Sequence, residues 1–503
     1  MTSQHAIAID LGTTGLKVAV VTLTGEIVWS GARELTTTLG ADGSATQDAH
    51  EWWRLVSDLV REGAAHTPDI AAIACTGQWA STVPVDEHGI PVGDCVMWMD
   101  TRGAPHSRAV IAGPVAGYNP RNALAWIRAT GGAPSSTGAD FLGHVLHLQD
   151  VGSDARWFLE PVDYLSMRFT GLAVGSHASM TAAWLTDNRR LDVLDYDVGL
   201  VGRAGVDARK LPPLRPTGSI IGPVRDDVAR DLGLPLGVQV VTGVPDLHSA
   251  TVGAGTARDY ATHLAISTTS WISCPVPFKK TDVLRQIASI PGVTPGGYVI
   301  VNNHETAGRC LQWLRDSMFP ESSYDELTAL AATAPPGSGS VLFTPWLAGE
   351  RSPVDDLDAR GGFHNLSLTT TRADLVRAVL EGVAFNSRWL HEAVEKFAKR
   401  RLDPIRIFGG GAASDLWCQI HADVLDRTIE RVADPLNCNA RGAALIAGLA
   451  LGAVTVDDIG TRVGVERTFT PDPGARGVYH RLFAEFPGLY SGQKKMFRRL
   501  NRR

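Results

Sequence analysis

The sequence predicts an α/β protein built from two lobes, and three observations carry that expectation. The chain has 503 residues, 44% of them hydrophobic, which is more apolar material than one ordinary domain uses. Short β-branched runs alternate with helical patterns, favouring a layered α/β architecture over an all-helical one. A small polar loop between apolar flanks occurs in each half, in IAIDLGTTGLKVAVV (7–21) and in HLAISTTSWIS (263–273).

Each element can be justified in turn. Ala6–Ile9 and Val18–Val21 read as strands, and Thr24-Gly25-Glu26 turns the chain into Ile27–Trp29. In QDAHEWWRLVSDLVREG (47–63), Trp52, Trp53, Val56, Leu59 and Val60 recur at helical spacing. Strand-like runs follow at Ile70–Ala74 and Ser81–Val85, the second leading into the turn Asp86-Glu87-His88-Gly89. Val238–Thr242 reads as a strand, followed by a glycine-and-acid turn and a helix-like segment of small residues. The lobe boundary is expected near 250–258, giving lobes of 1–251 and 252–503, with APPGSGS (334–340) a surface connection.

The clearest helix start lies further on. Thr371-x-x-Asp374 forms a capping-box pattern ahead of a stripe of Leu375, Val376, Val379, Leu380 and Val383. ARGAALIAGLALG (440–452) is nearly all small, so its helix is expected to approach its neighbours closely.

Composition narrows the function. Lys+Arg 47 against Asp+Glu 53 gives a net charge of −6, which argues against nucleic acid or an anionic membrane as partner. No apolar stretch approaches the roughly 20 residues of a spanning helix. The opening MTSQHAIAID reaches an acid before an apolar leader could form, so a cytoplasmic location is expected. Cys75, Cys95, Cys274, Cys310, Cys418 and Cys438 are scattered without a CxxC pair, which predicts reduced, buried thiols rather than zinc ligands or disulfides.

The loop DLGTTG carries the first chemical signal. Glycines and threonines there offer N–H groups and hydroxyls to an anion, and Asp10 could hold Mg²⁺ directly or through water. Lys17 adds positive charge on the same hairpin. An ordinary capped hairpin explains the stretch equally well when it is read alone. It is neither a Walker A loop nor a Rossmann GxGxxG.

Other stretches tip the balance. Val241-Thr242-Gly243-Val244-Pro245-Asp246 sets a carboxylate after a strand, where it could accept a hydroxyl proton as the oxygen attacks phosphorus. Ser267-Thr268-Thr269-Ser270 is a second hydroxyl-rich loop, and FGGGAASDLW (408–417) is a triple-glycine turn suited to a flat ring. CTGQWAS (75–81) and WMDTRG (98–103) place Gln, Trp, Asp and Arg after strands, as a polyol pocket would need.

This ordered set resembles the FGGY carbohydrate kinases, which share their fold with hexokinase, actin and heat-shock chaperones. LFTPWLAGERSP (342–353) and ARGGFHNLSLTTTRADLVRAVLEGVAF (359–385) look like that family's C-terminal signature. FKKTDVLRQIASIPG and NNHETAGRCLQWLRD look closest to its xylulokinase-like branch. The resemblance implies two ribonuclease-H-like lobes with the active site in the cleft between them. It implies ATP and Mg²⁺, with Asp10 on the metal and Gly12, Thr13, Thr14, Lys17 and Thr268 around the phosphates. Asp246 would be the general base, Gly410 and Gly411 would line the adenine site, and Asp415 would lie near the base edge. Gln78, Trp79, Trp98 and Asp100 would surround the sugar together with Asp246.

The departures from the family are also readable. Ser267 stands for a glycine, Asn365 for another, and Ala123 for the lysine of PxxKLxW. Trp79-Ala80 and Asp246-Leu247 replace a GQMHG loop and an Asp-Asn pair, so two polar sugar contacts become apolar. His248 either compensates or is structural. Glu350-Arg351 reads as a packed ion pair, and Arg102 either contacts substrate or pairs with Asp100.

The expected function is phosphorylation of a hydroxyl of a small sugar or polyol, a xylulose-like pentulose first. A tetritol, glycerol, ribulose or a deoxy or methylated pentulose is the alternative. A sugar-independent ATPase of the actin and chaperone fold is the reading from another class, and a kinase-derived sugar sensor ranks last. A homodimer stays open.

Overall fold

The computed structural model describes residues 4–114 and 117–501. In the first lobe, β1 (His5–Leu11), β2 (Gly15–Thr22) and β3 (Ile27–Glu34) run antiparallel. Helix α1 (Ala49–Ala64) starts where the Asp48 side chain accepts the His50 N–H, a standard N-cap bond. It buries Trp52, Val56, Leu59 and Val60 against the sheet, each fully buried aliphatic contributing about 1.5–3 kcal/mol. The chain returns as β4 (Ile70–Gly77), parallel to β1. After a helical insert come β5 (Ile220–Pro223), β6 (Gln239–Val241) and β7 (Val244–Pro245). The sheet order is β5-β6-β4-β1-β2-β3, with β7 also pairing β4.

The insert has its own core around Trp126, Phe141 and Phe158. The strand expected over 81–85 shortens to Val83–Val85 and leaves the main sheet to pair with Trp157–Leu159. Helix α2 (Asp246–Gly253) then leads onward, so position 251/252 falls within its last turn.

The second sheet repeats the first plan. It contains β8 (Thr262–Ile266), β9 (Ser270–Ser273), β10 (Ile405–Phe408), β11 (Ile429–Val432) and β12 (Val465–Phe469), in the order β9-β8-β10-β11-β12. Antiparallel β2–β1 followed by parallel β4 and β6 matches antiparallel β9–β8 followed by parallel β10 and β11. Both polar loops noticed in the sequence join the hairpin strands, β1 to β2 and β8 to β9. The Thr371 capping box forms as expected and opens a helix spanning Arg372–Ala398. APPGSGS is less of a surface loop than its composition suggests, because Gly337 and Ser338 are buried and donate to the carboxylate of Glu381.

Helix α3 (Cys438–Ala450) ties the halves together. Ala440, Ala443, Ala444 and Ala447 lie against Ala6, Ala8, Ala19, Ala72 and Ala74 of the first sheet. A Cβ on Gly442 would collide with the Ser249 carbonyl, and one on Gly253 with the Cys438 carbonyl. Helices α2 and α3 therefore cross backbone to backbone, which only glycine permits at those two positions. All six cysteines are free and buried.

Candidate active site

Strand register brings the two acids together. Asp10 lies opposite Lys17 on β2 and opposite Thr76 on β4, while Val244 of β7 also lies opposite Thr76. The ends of β1, β4 and β7 are thus level, and Asp246 follows β7 directly as the first residue of α2. Thr76 donates to Ser249 Oγ at 2.7 Å, and Ser249 Oγ donates to the Asp246 carbonyl at 3.0 Å. That relay fixes the start of α2 to the sheet. Burial and the charge of Asp10 push the Asp246 carboxyl up to about 7. Burial also raises Asp10, against the pull of Lys17 and a hydrogen bond from the Asn439 amide.

The loop between β1 and β2 is narrow and open on top. Gly12 N–H donates to the Gly15 carbonyl at 2.9 Å, closing the turn, and Thr14 is exposed. Lys17 Nζ donates to the Leu436 carbonyl at 3.0 Å, so its cation bridges to the second half of the chain. Gln47 supports this loop from below. Its Nε2 donates to the Thr13 carbonyl at 2.7 Å, and its Oε1 accepts from Trp52 Nε1 at 3.1 Å and Gln78 Nε2 at 3.3 Å.

The sugar-side residues divide into two groups. Gln78 is buried, and its N–H donates to the Leu11 carbonyl at 2.8 Å. That approach requires Gly77, where φ is +148° and a Cβ would strike the Leu11 carbonyl. Trp98 is exposed and its Nε1 donates to Thr13 Oγ1 at 3.1 Å, joining it to the loop between β1 and β2. Trp79 commits its Nε1 to the Ser179 carbonyl at 2.8 Å and turns its ring to His248 and Leu247. Asp100 is different from what was expected. It is fully buried and accepts from Arg102 Nη2 at 2.7 Å, Arg102 N–H at 2.9 Å and Ala45 N–H at 2.9 Å. Its lone pairs are taken, so it holds the loop rather than offering a free carboxylate to a sugar.

Two loops leave one edge of the second sheet, after the parallel strands β8 and β10. Thr268 is exposed, and its carbonyl accepts the Ala307 N–H at 3.0 Å while Gly308 N–H donates to the Ser267 carbonyl at 2.7 Å. Ser267 is accommodated there without closing the loop, since its own N–H bonds the Thr269 carbonyl at 2.9 Å. Gly410 has open space where a Cβ would lie, while Gly411 packs against Ile266. Asp415 is held by two arginines. Arg431 Nη1 donates to one of its oxygens at 2.7 Å, and Arg467 pairs with the other.

The comparisons with known proteins now decide the assignment. The N-terminal domain of the FGGY family of carbohydrate kinases matches residues 5–253, and its C-terminal domain matches residues 268–451. The chain belongs to the FGGY family of carbohydrate kinases. A xylulose kinase of Staphylococcus epidermidis is 27% identical over 99% of this chain and 98% of its own. A glycerol kinase of Methylorubrum extorquens is 29% identical over 92% of this chain and 93% of its own. The crystal structure of a xylulose kinase from Lactobacillus acidophilus superposes with a TM-score of 0.87 at 22% identity, covering 97% and 98% of the two chains.

This FGGY kinase is therefore an ATP-dependent enzyme of two actin-type lobes that phosphorylates a sugar or polyol. Family membership sets aside the sugar-independent ATPase. Several residues of its cleft escaped the sequence reading. Gln47, at the end of a short strand, and Ser249 and Asn439, in helices, are single polar residues in ordinary contexts, and only tertiary contact reveals them. One local reading is corrected. Arg351 pairs with Glu305 at 2.8 Å, not with Glu350, whose oxygens accept from Asn386 and the N–H groups of Glu305 and Arg351. His248 is buried, its Nε2 lies 2.8 Å from the Pro291 carbonyl, and burial lowers it to about 4, which favours the structural one of its two readings. Among the described residues no helix is long and apolar enough to cross a membrane.

Proposed function

We propose that Asp246 is the general base of this kinase and that Asp10 holds the divalent cation. The observation that carries this reading is the facing acid pair at the level ends of β1 and β7, with Asp246 pushed up toward neutrality. A base poised near the working pH combines availability with proton affinity, which is what acceptance of a hydroxyl proton requires. Phosphoryl transfer otherwise depends on positioning and charge stabilisation.

The oxygen donors present suit Mg²⁺. Asp10 supplies a carboxylate, and the buried Asn439 Oδ1 beside it has no hydrogen-bond partner. Among the described residues no cluster of three or more His, Cys, Asp or Glu forms an all-protein cage. Mg²⁺ commonly takes one or two carboxylates and completes its shell with water and substrate phosphates. When bound, it would neutralise charge on the transferring phosphoryl group. Gly12, Thr13, Thr14 and Lys17 would face the phosphates from one lobe and Thr268 from the other, with Gly410 and Gly411 under the adenine.

A xylulose-like pentulose is the leading substrate, in keeping with the names of the relatives. The wall beside Asp246 qualifies this. Leu247 is buried with Trp79, Trp271, Ile290 and Val299, and His248 commits its Nε2 to the Pro291 carbonyl. Gln78 and Asp246 are the polar groups left for the sugar. A pentulose lacking or masking one hydroxyl, or a shorter polyol, suits that wall better than a fully hydroxylated one. ADP release measured with pentuloses, tetritols, glycerol, gluconate and methylated pentuloses tests the assignment. Turnover that ignores every sugar would overturn it.

A further inference from the structure

Asn439 belongs to the second half of the chain, yet its side-chain amide lies beside the Asp10 carboxylate of the first sheet, near enough to favour the charged acid. Its Oδ1 is buried without a partner, in a protein whose buried polar atoms are mostly satisfied. Its surroundings leave little freedom. Lys17 Nζ bonds the Leu436 carbonyl three residues upstream, and the preceding Asn437 side chain is held by Asp434 at 3.0 Å. On the other side, Gly442 lies against the Ser249 backbone, and Ala440 and Ala443 lie against the alanine face of the first sheet. Helix α3 is thus fixed both to the strand that carries Asp10 and to the helix that begins with Asp246.

We propose that Asn439 is a positioning residue for the cation site, its N–H orienting Asp10 and its free Oδ1 accepting from a water of the cation's shell. This rests on the reading that Asp10 holds the cation. Partners one step removed from a metal typically change its affinity 10–100-fold when removed. The amide reaches Asp10 from the other half of the chain, so the carboxylate is set correctly only while α3 is seated on the first sheet.

The test uses the full chain with a non-hydrolysable ATP analogue and Mn²⁺ titrated by electron paramagnetic resonance, without turnover. Asn439→Leu, which keeps the shape and removes the polar atoms, is expected to weaken Mn²⁺ binding about 10–100-fold. Asn439→Ala, which only deletes atoms at a partly exposed position, carries the same expectation should the leucine crowd the helix. Asn439→His keeps an N–H at similar reach and is expected to restore most of the affinity. Wild-type Mn²⁺ affinity in the alanine variant would overturn the proposal, as would a histidine variant no better than alanine. Asp10→Asn separates the two levels. If it loses Mn²⁺ while Asn439→Ala does not, only the role of Asn439 falls; if it too binds normally, the cation role of Asp10 falls and takes this inference with it.

Discussion

Burial and the negative charge of Asp10 raise the proton affinity of Asp246, two residues past Val244, which lies level with Asp10 across β4. With Asp246 pushed up to about 7, the free enzyme should lose its base as pH falls below neutrality. kcat/KM is expected to climb through that range and level off above it, where an ordinary carboxylate would already be flat. Asp246→Asn should lower kcat by about 10²-fold or more with nucleotide binding little changed. A pH–rate profile flat from about pH 5 to about pH 9 would count against the base.

The same group leaves a mark on stability. Its folded value lies above its unfolded value, so between about 4 and about 7 the folded state keeps a proton that the unfolded state has lost. Stability contributed by the neutral acid is present below that window and is lost as pH rises through it. Asp246→Asn cannot ionise, so its Tm should exceed that of the wild type more at pH 8 than in acid. Scanning calorimetry across that range is the measurement, and an equal offset at every pH would contradict the shift.

Thr14 is exposed and only its carbonyl is engaged, by the Leu35 N–H at 3.1 Å. Thr14→Val should therefore fold like the wild type. A hydrogen bond to a charged phosphate contributes about 1.5–3 kcal/mol, so ATP affinity should fall about 10–100-fold. Unchanged affinity by isothermal calorimetry would remove this loop from the phosphate site.

Asp100→Ala separates support from recognition. It would leave Arg102, whose side chain is 26% exposed, beside an empty partner position at full burial. A loss of about 3 kcal/mol is expected, at the lower end for a broken buried pair because Arg102 still reaches water. Urea melts provide the figure. Unaltered stability with lost sugar affinity would instead make Asp100 a direct contact.

Ala80→His with Leu247→Asn tests the apolar wall. Ala80 already sits at φ +61°, a conformation that histidine tolerates better than most side chains. Leu247→Asn buries an amide among Trp79, Ile290 and Val299 and should cost about 1–3 kcal/mol. Relative kcat/KM should nevertheless shift toward D-xylulose, because sites built to bond a hydroxyl discriminate far more than apolar walls. A wild-type enzyme that already prefers D-xylulose over every other sugar tested would defeat the argument.

Gly442→Ala should be costly where most glycine replacements are mild. Its Cβ would meet the Ser249 carbonyl, so about 1–3 kcal/mol of strain is expected, with kcat falling as α2 shifts. Gly202→Ala, with open space around it, is the control and should be neutral or slightly stabilising. Equal melting temperatures would refute the close crossing.

Much of this architecture was legible because its signals are local. The hairpin around DLGTTG, the Trp52-to-Val60 stripe and the Thr371 capping box depend on spacing and turn chemistry within a few residues, and all three are found. The small-residue run at 440–452 announced close packing, although not against which partner. What sequence could not show is where side chains meet across hundreds of residues. Asp100 read as a sugar contact because its carboxylate was imagined free, while Arg102 two residues on saturates it. Nor could sequence show that Arg431 and Arg467, from separate strands, both pair with Asp415. Asn439 had no signal at all, since an asparagine in the first turn of a helix is commonplace.

The glycine-to-backbone crossing of α2 and α3 has a mechanical consequence. Its first contact, Gly442 on Ser249, lies three residues along the helix from Asp246, so a hinge there would sit close to the proposed acid pair. A rotation about a fulcrum moves points in proportion to their distance from it. The outlying loops at Thr14, Thr268 and Gly410 would sweep furthest, while the two acids would barely change their separation. On that geometry an opening movement would exchange nucleotide while leaving the proposed pair of carboxylates in place.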